Sequence, residues 1–340
     1  MAEKYMKTYS AYVAEANEGL GASLLEGLEF INWKSLVKED SVVFVKPNFT
    51  FPDFREGVTT NPRLLRCLLE ILRDRSNSVI LGESDGGNHS FKANEAFRGH
   101  QMYEICKEVG VELVNLSTIP SRFVEARIQG KKVKVQLPKM LLEEVDCFIS
   151  VPVLKVHVIT HVSLGLKNLW GCYPDTMRGL HHTNLDRKLT LIAKLLNPKI
   201  TIIDGLYGLD WHGPMFGDPV RMNLLLMSNN VVVADALGTA IMDIPLKMAR
   251  HITIAEKEGI GTTNLANVRI NTDWRKYQRH FQIRRTLLDR ASSLLFHSDI
   301  AAKLVMDSPF TPLVKGVAGS LRSPEEKAIA SRFNTNKHYM

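Results

Sequence analysis

Short β-branched runs alternate with segments of helical periodicity along most of this chain, and that alternation predicts an α/β protein. Strands are expected over 42–46 (VVFVK), 79–83 (VILGE), 111–116, 147–151 (CFISV) and 200–204 (ITIID), and helices over 62–75, 94–109, 138–145 and 186–196. The first of these helices has Asn61 as its cap and Pro62 at its first position, a clear start signal. Residues 122–135 instead read as two alternating runs around Gln129-Gly130, a β-hairpin inserted between helical units. A Gly/Pro-rich loop follows over 204–219, then a strand-like MNLLLMS, a helix from near Val233 and another over 246–258. From about residue 271 the pattern changes. WRKYQRHFQIRRTLLDRASSLLF alternates basic residues with Trp274, Tyr277, Phe281, Ile283, Leu287 and Leu288, which reads as a basic amphipathic helix leading to a polar end from Ser323. The expected architecture is a mostly parallel sheet flanked by helices, with an inserted β-hairpin. An α/β domain over 1–270 then carries a basic, helical C-terminal appendage over 271–340.

Composition narrows the class without changing it. With 340 residues, 45% hydrophobic and 23% charged, the chain falls in the globular range. No run is long and apolar enough to span a bilayer, and the N-terminal residues lack the apolar core of a signal peptide, so a cytoplasmic protein without an integral membrane segment is expected. The net charge of +7 is local. Residues 274–340 hold 12 Lys and Arg against 5 Asp and Glu, leaving 31 of each in residues 1–273. Basic and aromatic residues at helical spacing, outside any nucleic-acid module, favour packing on the domain or on a second subunit of a homodimer over nucleic acid or a membrane surface. Cys67, Cys106, Cys147 and Cys172 form no CxxC pair, so neither a zinc ribbon nor an iron–sulfur cluster is expected.

In open α/β sheets ligands bind beyond the carboxyl ends of the strands. Three strand ends here are loaded: Lys46-Pro47-Asn48, then Gly82-Glu83-Ser84-Asp85-Gly86-Gly87, then Asp204-Gly205. The densest segment holds Lys155, His157, Thr160, His161, Lys167, Asn168, His181 and His182 within 28 residues. Lys155 and His157 share one face if the strand continues, whereas His157 and His161 share a face only on a helix. That pair is the alternative for a divalent metal, although no HExxH glutamate lies between them. Recognition of an anion accounts better for the cations. Lys46, Lys155 and Lys167 supply ammonium groups, Asn48 and Asn168 supply amide donors, and Gly86, Gly87 and Gly171 let backbone N–H groups approach a carboxylate or phosphate. Trp211-His212-Gly213-Pro214 sits in a loop long enough to cover a pocket.

The blocks VKPN (45–48), TTNP (59–62), GESDGG (82–87), ISVPVLKVHVITHVSLGLKNLWG (149–171), IIDGLYGLDWHGPMFGDP (202–219) and ADALGTAIM (234–242), in this order, resemble the "domain of unknown function 362" family. The resemblance covers about residues 40–260. It implies an α/β domain with a polar site at Lys46, Asn48, Glu83, Lys155, His157, Lys167, Asn168, Asp204, Gly213, Pro214 and Asp235. Many members of that family are fused to a ferredoxin-like domain carrying four-iron clusters, and this chain lacks cluster-binding cysteines.

The expected function is an enzyme that acts on an anionic, carboxylate-bearing small molecule by general acid–base chemistry: an isomerisation, elimination or cyclisation without a redox cofactor. Lys155, His157, Lys167, Asp204 and Glu83 are the expected catalytic set. Lys46, Asn48, Asn168, Gly86, Gly87, His181, His182 and His212 are expected to bind the substrate. Two alternatives stand beside it: a metal-dependent enzyme built on His157, His161, His181 and His182, and a non-catalytic anion-binding adaptor.

Overall fold

The computed structural model describes residues 9–16, 19–286 and 323–331, with short stretches between 298 and 320. In chain order the strands are β1 (Ser10–Glu15), β2 (Val42–Lys46), β3 (Ser78–Glu83), β4 (Glu112–Asn115), β5 (Ser121–Ile128), β6 (Lys131–Pro138), β7 (Cys147–Ser150), β8 (Val153–His157), β9 (His161–Ser163), β10 (Ile200–Asp210), β11 (Asp218–Ser228) and β12 (Arg269–Ile270). The helices are α1 (Leu20–Phe30), α2 (Pro62–Arg73), α3 (Ala93–Gly99), α4 (Met102–Val109), α5 (Lys139–Glu143), α6 (Gly165–Asn168), α7 (Leu185–Leu196), α8 (Val231–Ile241), α9 (Arg250–Lys257) and α10 (Pro324–Ser331).

The main sheet runs β12-β1-β11-β10-β7-β2-β3-β4. Its centre, β10-β7-β2-β3-β4, is parallel, and β11 and β1 add antiparallel neighbours, so the protein is α/β with a mostly parallel sheet flanked by helices. The central strands are near-continuous apolar runs because both faces are covered. Val43 and Val45 pack under α1 to α4, while Phe44 between them packs on the opposite face with α6 to α9 and the β5–β6 hairpin. The parallel order brings the carboxyl ends of β2, β3, β7 and β10 to one edge. There β10 passes a bulge between Gly205 and Tyr207 and leaves β7 for β8, which turns back into β9.

Several elements differ from the sequence pattern for local reasons. The helix expected over 94–109 is two helices, broken where Gln101 takes a left-handed conformation (φ 59°) and Gly99 lies against the backbone of Pro52. The loop expected over 204–219 is mostly strand, and only its tip between β10 and β11 is irregular. Glycine explains this, since a Cβ at Gly205 would come within 2.9 Å of the Leu224 carbonyl and one at Gly208 within 2.7 Å of the Phe281 ring. The start of the expected basic helix is a single turn at Trp274–Tyr277, after which residues 278–286 run extended across the domain. Their backbone groups are used by the domain: Arg279 and Phe281 donate to the carbonyls of Ile241 and Met242, and Trp211 pairs with Gln282 and Arg284. Positions 287–297 of that expected helix lie outside the described residues. Helix α10 packs near the β10–β11 tip, where Ile329 joins Phe51, Val58, Leu209 and Met215. Among the described residues no helix is long and apolar enough to cross a membrane.

Candidate functional site

The strand-end residues form one connected polar network. Lys46, ending β2, is 1% exposed, and its Nζ lies 2.6 Å from Glu83 Oε2 at the end of β3 and 2.8 Å from the Pro47 carbonyl. Glu83 also accepts the backbone N–H groups of Phe49 (3.1 Å) and Ser84 (3.0 Å). Gly171 closes this pair from above, and a Cβ there would meet Lys46 Nζ at 2.7 Å and Glu83 Oε1 at 2.8 Å. Asn168 at the end of α6 donates to the Lys46 carbonyl and to Ser150 Oγ, both at 3.1 Å, and accepts from Asn48 Nδ2 at 3.1 Å.

Lys155 is fully buried in β8. Its three donors meet Asn48 Oδ1 (2.8 Å), Thr50 Oγ1 (3.2 Å) and the Val58 carbonyl (2.6 Å), so it pins the 48–58 loop to the sheet. Burial, then the charge of Lys167, hold its ammonium well below the usual lysine range. Asp204 was expected in the catalytic set. Its oxygens instead accept backbone N–H groups of Asn61 (2.7 Å) and Leu206 (3.1 Å), and burial raises the carboxyl to about 6. Asp235 in α8 accepts the N–H groups of Gly165 (2.6 Å) and Leu166 (2.9 Å) at the start of α6, and burial raises it to about 7. It thereby sets the position of Lys167 and Asn168.

Gly86 and Gly87 lie in a loop fastened by Arg178, which sequence reasoning missed. Its guanidinium donates to Ser84 Oγ (2.9 Å), to the Tyr173 carbonyl (2.7 Å) and to the Asp85 carbonyl. Asp85 in turn accepts from Ala93 N at 2.8 Å and pairs with Lys92 at 3.1 Å. The loop is therefore held by side chains of the chain itself.

Lys167 is different. It is half-buried, and among the described residues no hydrogen bond or ion pair engages it. Burial, then the charge of Arg178, lower its ammonium to about 8. Its own charge acts on Lys155, His157, His182 and His251, so these groups gather around it. The charges felt by Lys167 and by these three histidines come from lysines, arginine and other histidines. A cationic enclosure of this kind is complementary to an anion.

The histidine tautomers follow from their partners. His157 Nδ1 accepts the N–H of Ile159 at 3.0 Å and lies 3.4 Å from that of Thr160, so its proton sits on Nε2. His182 Nδ1 lies 2.9 Å from the Gly179 carbonyl and must donate, which leaves a lone pair on Nε2. Burial pulls His182 down to about 3 and His157 well below the usual histidine range, and the charge of Lys167 adds to both. His251 in α9 is fully buried, and neither ring nitrogen has a hydrogen-bond partner among the described residues. Leaving such groups unpaired costs about 1–3 kcal/mol each. No sequence signal marks His251, because a histidine on the buried face of an amphipathic helix reads as core.

The pair expected as alternative metal ligands stands on a hairpin instead of a helix, with His157 on β8 opposite His161 on β9. His161 Nε2 lies 2.9 Å from Arg285 Nη2, so each imidazole already has one nitrogen engaged. Among the described residues no group of three or more His, Cys, Asp or Glu side chains is arranged to hold a metal ion. The other two histidines expected at the site have carboxylate partners: His181 with Asp175 and His212 with Glu326 of α10, both at 2.8 Å. His181 also lines a separate cavity of about 360 Å³ with Phe123, Lys132, Lys134, Tyr173 and Lys188. Burial pushes the thiols of Cys106, Cys147 and Cys172 up to about 12, away from thiolate chemistry.

A family model described as "Domain of unknown function (DUF362)" matches residues 43–240. A curated relative, the thylakoid-associated protein sll1697 of Synechocystis sp., is 33% identical over 238 residues, covering 67% of this chain and 70% of the relative. No solved structure matches the chain.

Proposed function

The chain belongs to the DUF362 family of domains of unknown function, and within it we propose an enzyme that acts on an anionic, carboxylate-bearing small molecule by general acid–base chemistry. The observation that carries this reading is Lys167, an ammonium group without a partner among the described residues, surrounded by neutral imidazoles and further cations. In the proposal Lys167 holds the carboxylate. The neutral imidazole of His182 takes a proton from an acidic carbon of the substrate, and His157 Nε2–H returns one. Bound anion neutralises the field of Lys167, which raises the basicity of His182 when substrate is present. Lys46, Glu83, Asn48, Asn168 and Lys155 hold the frame, and Arg178 fastens the loop carrying Gly86 and Gly87. This division supports an isomerisation, elimination or cyclisation. A cytoplasmic location is part of the proposal, set beside a relative whose name states thylakoid association.

Proton transfer is testable without the natural substrate. Purified protein is incubated in D2O with a panel of 2-oxo and α,β-unsaturated carboxylates, and loss of the C3–H signal of the former and of the Cγ–H signal of the latter is followed by NMR. Enzyme-dependent exchange is expected for at least one compound, falling by about 100-fold in His182→Gln, the usual scale of a general base. Wild-type protein that exchanges no compound, or a His182→Gln variant that exchanges as fast, sinks the acid–base reading.

A further inference from the structure

We propose that the cavity between the β5–β6 hairpin and the start of α7 is a second binding site, for a phosphate monoester with a flat apolar body. It is independent of the anion site, since Lys167 is not part of its wall.

The cavity measures about 360 Å³, within the range of small-molecule sites, and no Asp or Glu lines it. Lys132 and Lys134 of β6 enter its wall from the hairpin. They share one carboxylate, Glu125 of β5, at 2.5 Å and 3.9 Å respectively, so two ammonium groups stand against a single negative charge. Lys188 of α7 closes the opposite side, where its Nζ meets the His181 carbonyl at 2.7 Å.

Two donors in the wall have no hydrogen-bond partner among the described residues. Tyr173 is 2% exposed, yet its hydroxyl is unengaged, and a polar group in so buried a residue is normally satisfied. Asn184 precedes α7 in a left-handed conformation (φ 57°), and its side chain does not cap the helix. An acceptor inside the cavity would meet both. A phosphate monoester brings nearly two charges and three acceptor oxygens, which suits paired ammonium groups and two free donors better than a carboxylate does.

The remaining wall selects the body of the ligand. Phe123 of β5 is 56% exposed and lines the cavity, with Lys134 Nζ 4.2 Å from its ring centroid, and the apolar side chain of Val133 lies beside them. An aromatic face next to an ammonium group accepts a flat ring that carries its charge at one end. A bare phosphate would leave most of the cavity empty.

The test is calorimetric titration of the full chain with phenyl phosphate, inorganic phosphate and benzoate. Phenyl phosphate is expected to bind about tenfold tighter than either of the others, the scale of one aromatic contact in the first comparison and one charge-assisted contact in the second. Phe123→Ser should bring phenyl phosphate to the level of inorganic phosphate, and Lys134→Gln should weaken both phosphates about tenfold; both side chains are exposed, so neither change burdens the fold. Tyr173→Phe should weaken phenyl phosphate about fivefold and leave the melting temperature of the ligand-free protein unchanged, because the hydroxyl has no partner to lose. Wild-type protein that binds phenyl phosphate no tighter than inorganic phosphate or benzoate, or an affinity that Lys134→Gln leaves unchanged, overturns the site. Lys167→Met should leave phenyl phosphate binding intact; its loss in that variant would put the ligand at Lys167 and overturn the cavity as a separate site.

Discussion

Lys46 and Lys155 are both buried ammonium groups on strands of one sheet, yet they are stabilised in different ways. Lys46 has a carboxylate, Glu83, at 2.6 Å, whereas Lys155 has three neutral oxygen acceptors. Lys46→Met leaves a buried carboxylate with two backbone donors and no cation, and removal of one partner of a buried pair costs about 3–5 kcal/mol. Lys155→Met leaves neutral acceptors unsatisfied, at about 1–3 kcal/mol. Urea denaturation should therefore rank Lys46→Met as the more damaging change, and the double variant Lys46→Met/Glu83→Leu should recover much of the loss. The opposite ranking, or a double variant no better than the single, would show that Glu83 is stabilised chiefly by the N–H groups of Phe49 and Ser84.

At the scale of elements, segment 278–286 tests how a short strap attaches to a finished sheet. Phe281 is its one fully buried apolar anchor, and its backbone bonds run to Ile241, Met242 and Trp211. Phe281→Ala should raise hydrogen exchange at the amides of Phe281 and Arg284 while the amides of β2 and β7 keep their protection. Equal loss of protection in β2 and β7 would make the strap part of the cooperative core. This segment also shows where the sequence misleads. Trp274, Tyr277 and Phe281 fit a helical period, but Phe281 and Ile283 also fit a period of two, and the free carbonyls of Ile241 and Met242 decide between them. The central strands had no such ambiguity, being β-branched and buried on both faces, and Asn61-Pro62 marked the start of α2 as it stands. The strand-end positions Lys46, Glu83 and Asp204 were legible for the same reason: topology alone brings them to one edge. Which cations face inward was not legible. The partners of Lys155 at Asn48 and Val58 are about a hundred residues away in the chain, and His251 and Arg285 sit in an ordinary helix and a basic tail.

Over the whole molecule, the buried histidines govern the response to acid. Burial is the leading cause that lowers His100 and His161 to about 4 and His182 and His251 to about 3, and it holds His157 well below the ordinary 6.5. In the unfolded chain each returns to that ordinary value. Unfolding below pH 6.5 therefore takes up protons, and the stability present above pH 6.5 is lost as pH falls. Asp204 and Asp235 act in the opposite sense. Raised from 3.8 to about 6 and about 7, they keep protons in the folded state that the unfolded chain releases, so their contribution is present at low pH and lost as pH rises through those values. At pH 5 the five histidines outnumber the two carboxyls, and unfolding is expected to take up about three protons in balance. Urea midpoints should thus fall steadily between pH 6.5 and pH 4.5. A His251→Phe variant should show a shallower fall, by about one proton. A midpoint that is flat or rising toward pH 5 would mean that these imidazoles are already charged in the folded protein, and with that the neutral His157 and His182 on which proton transfer beside Lys167 depends would be lost.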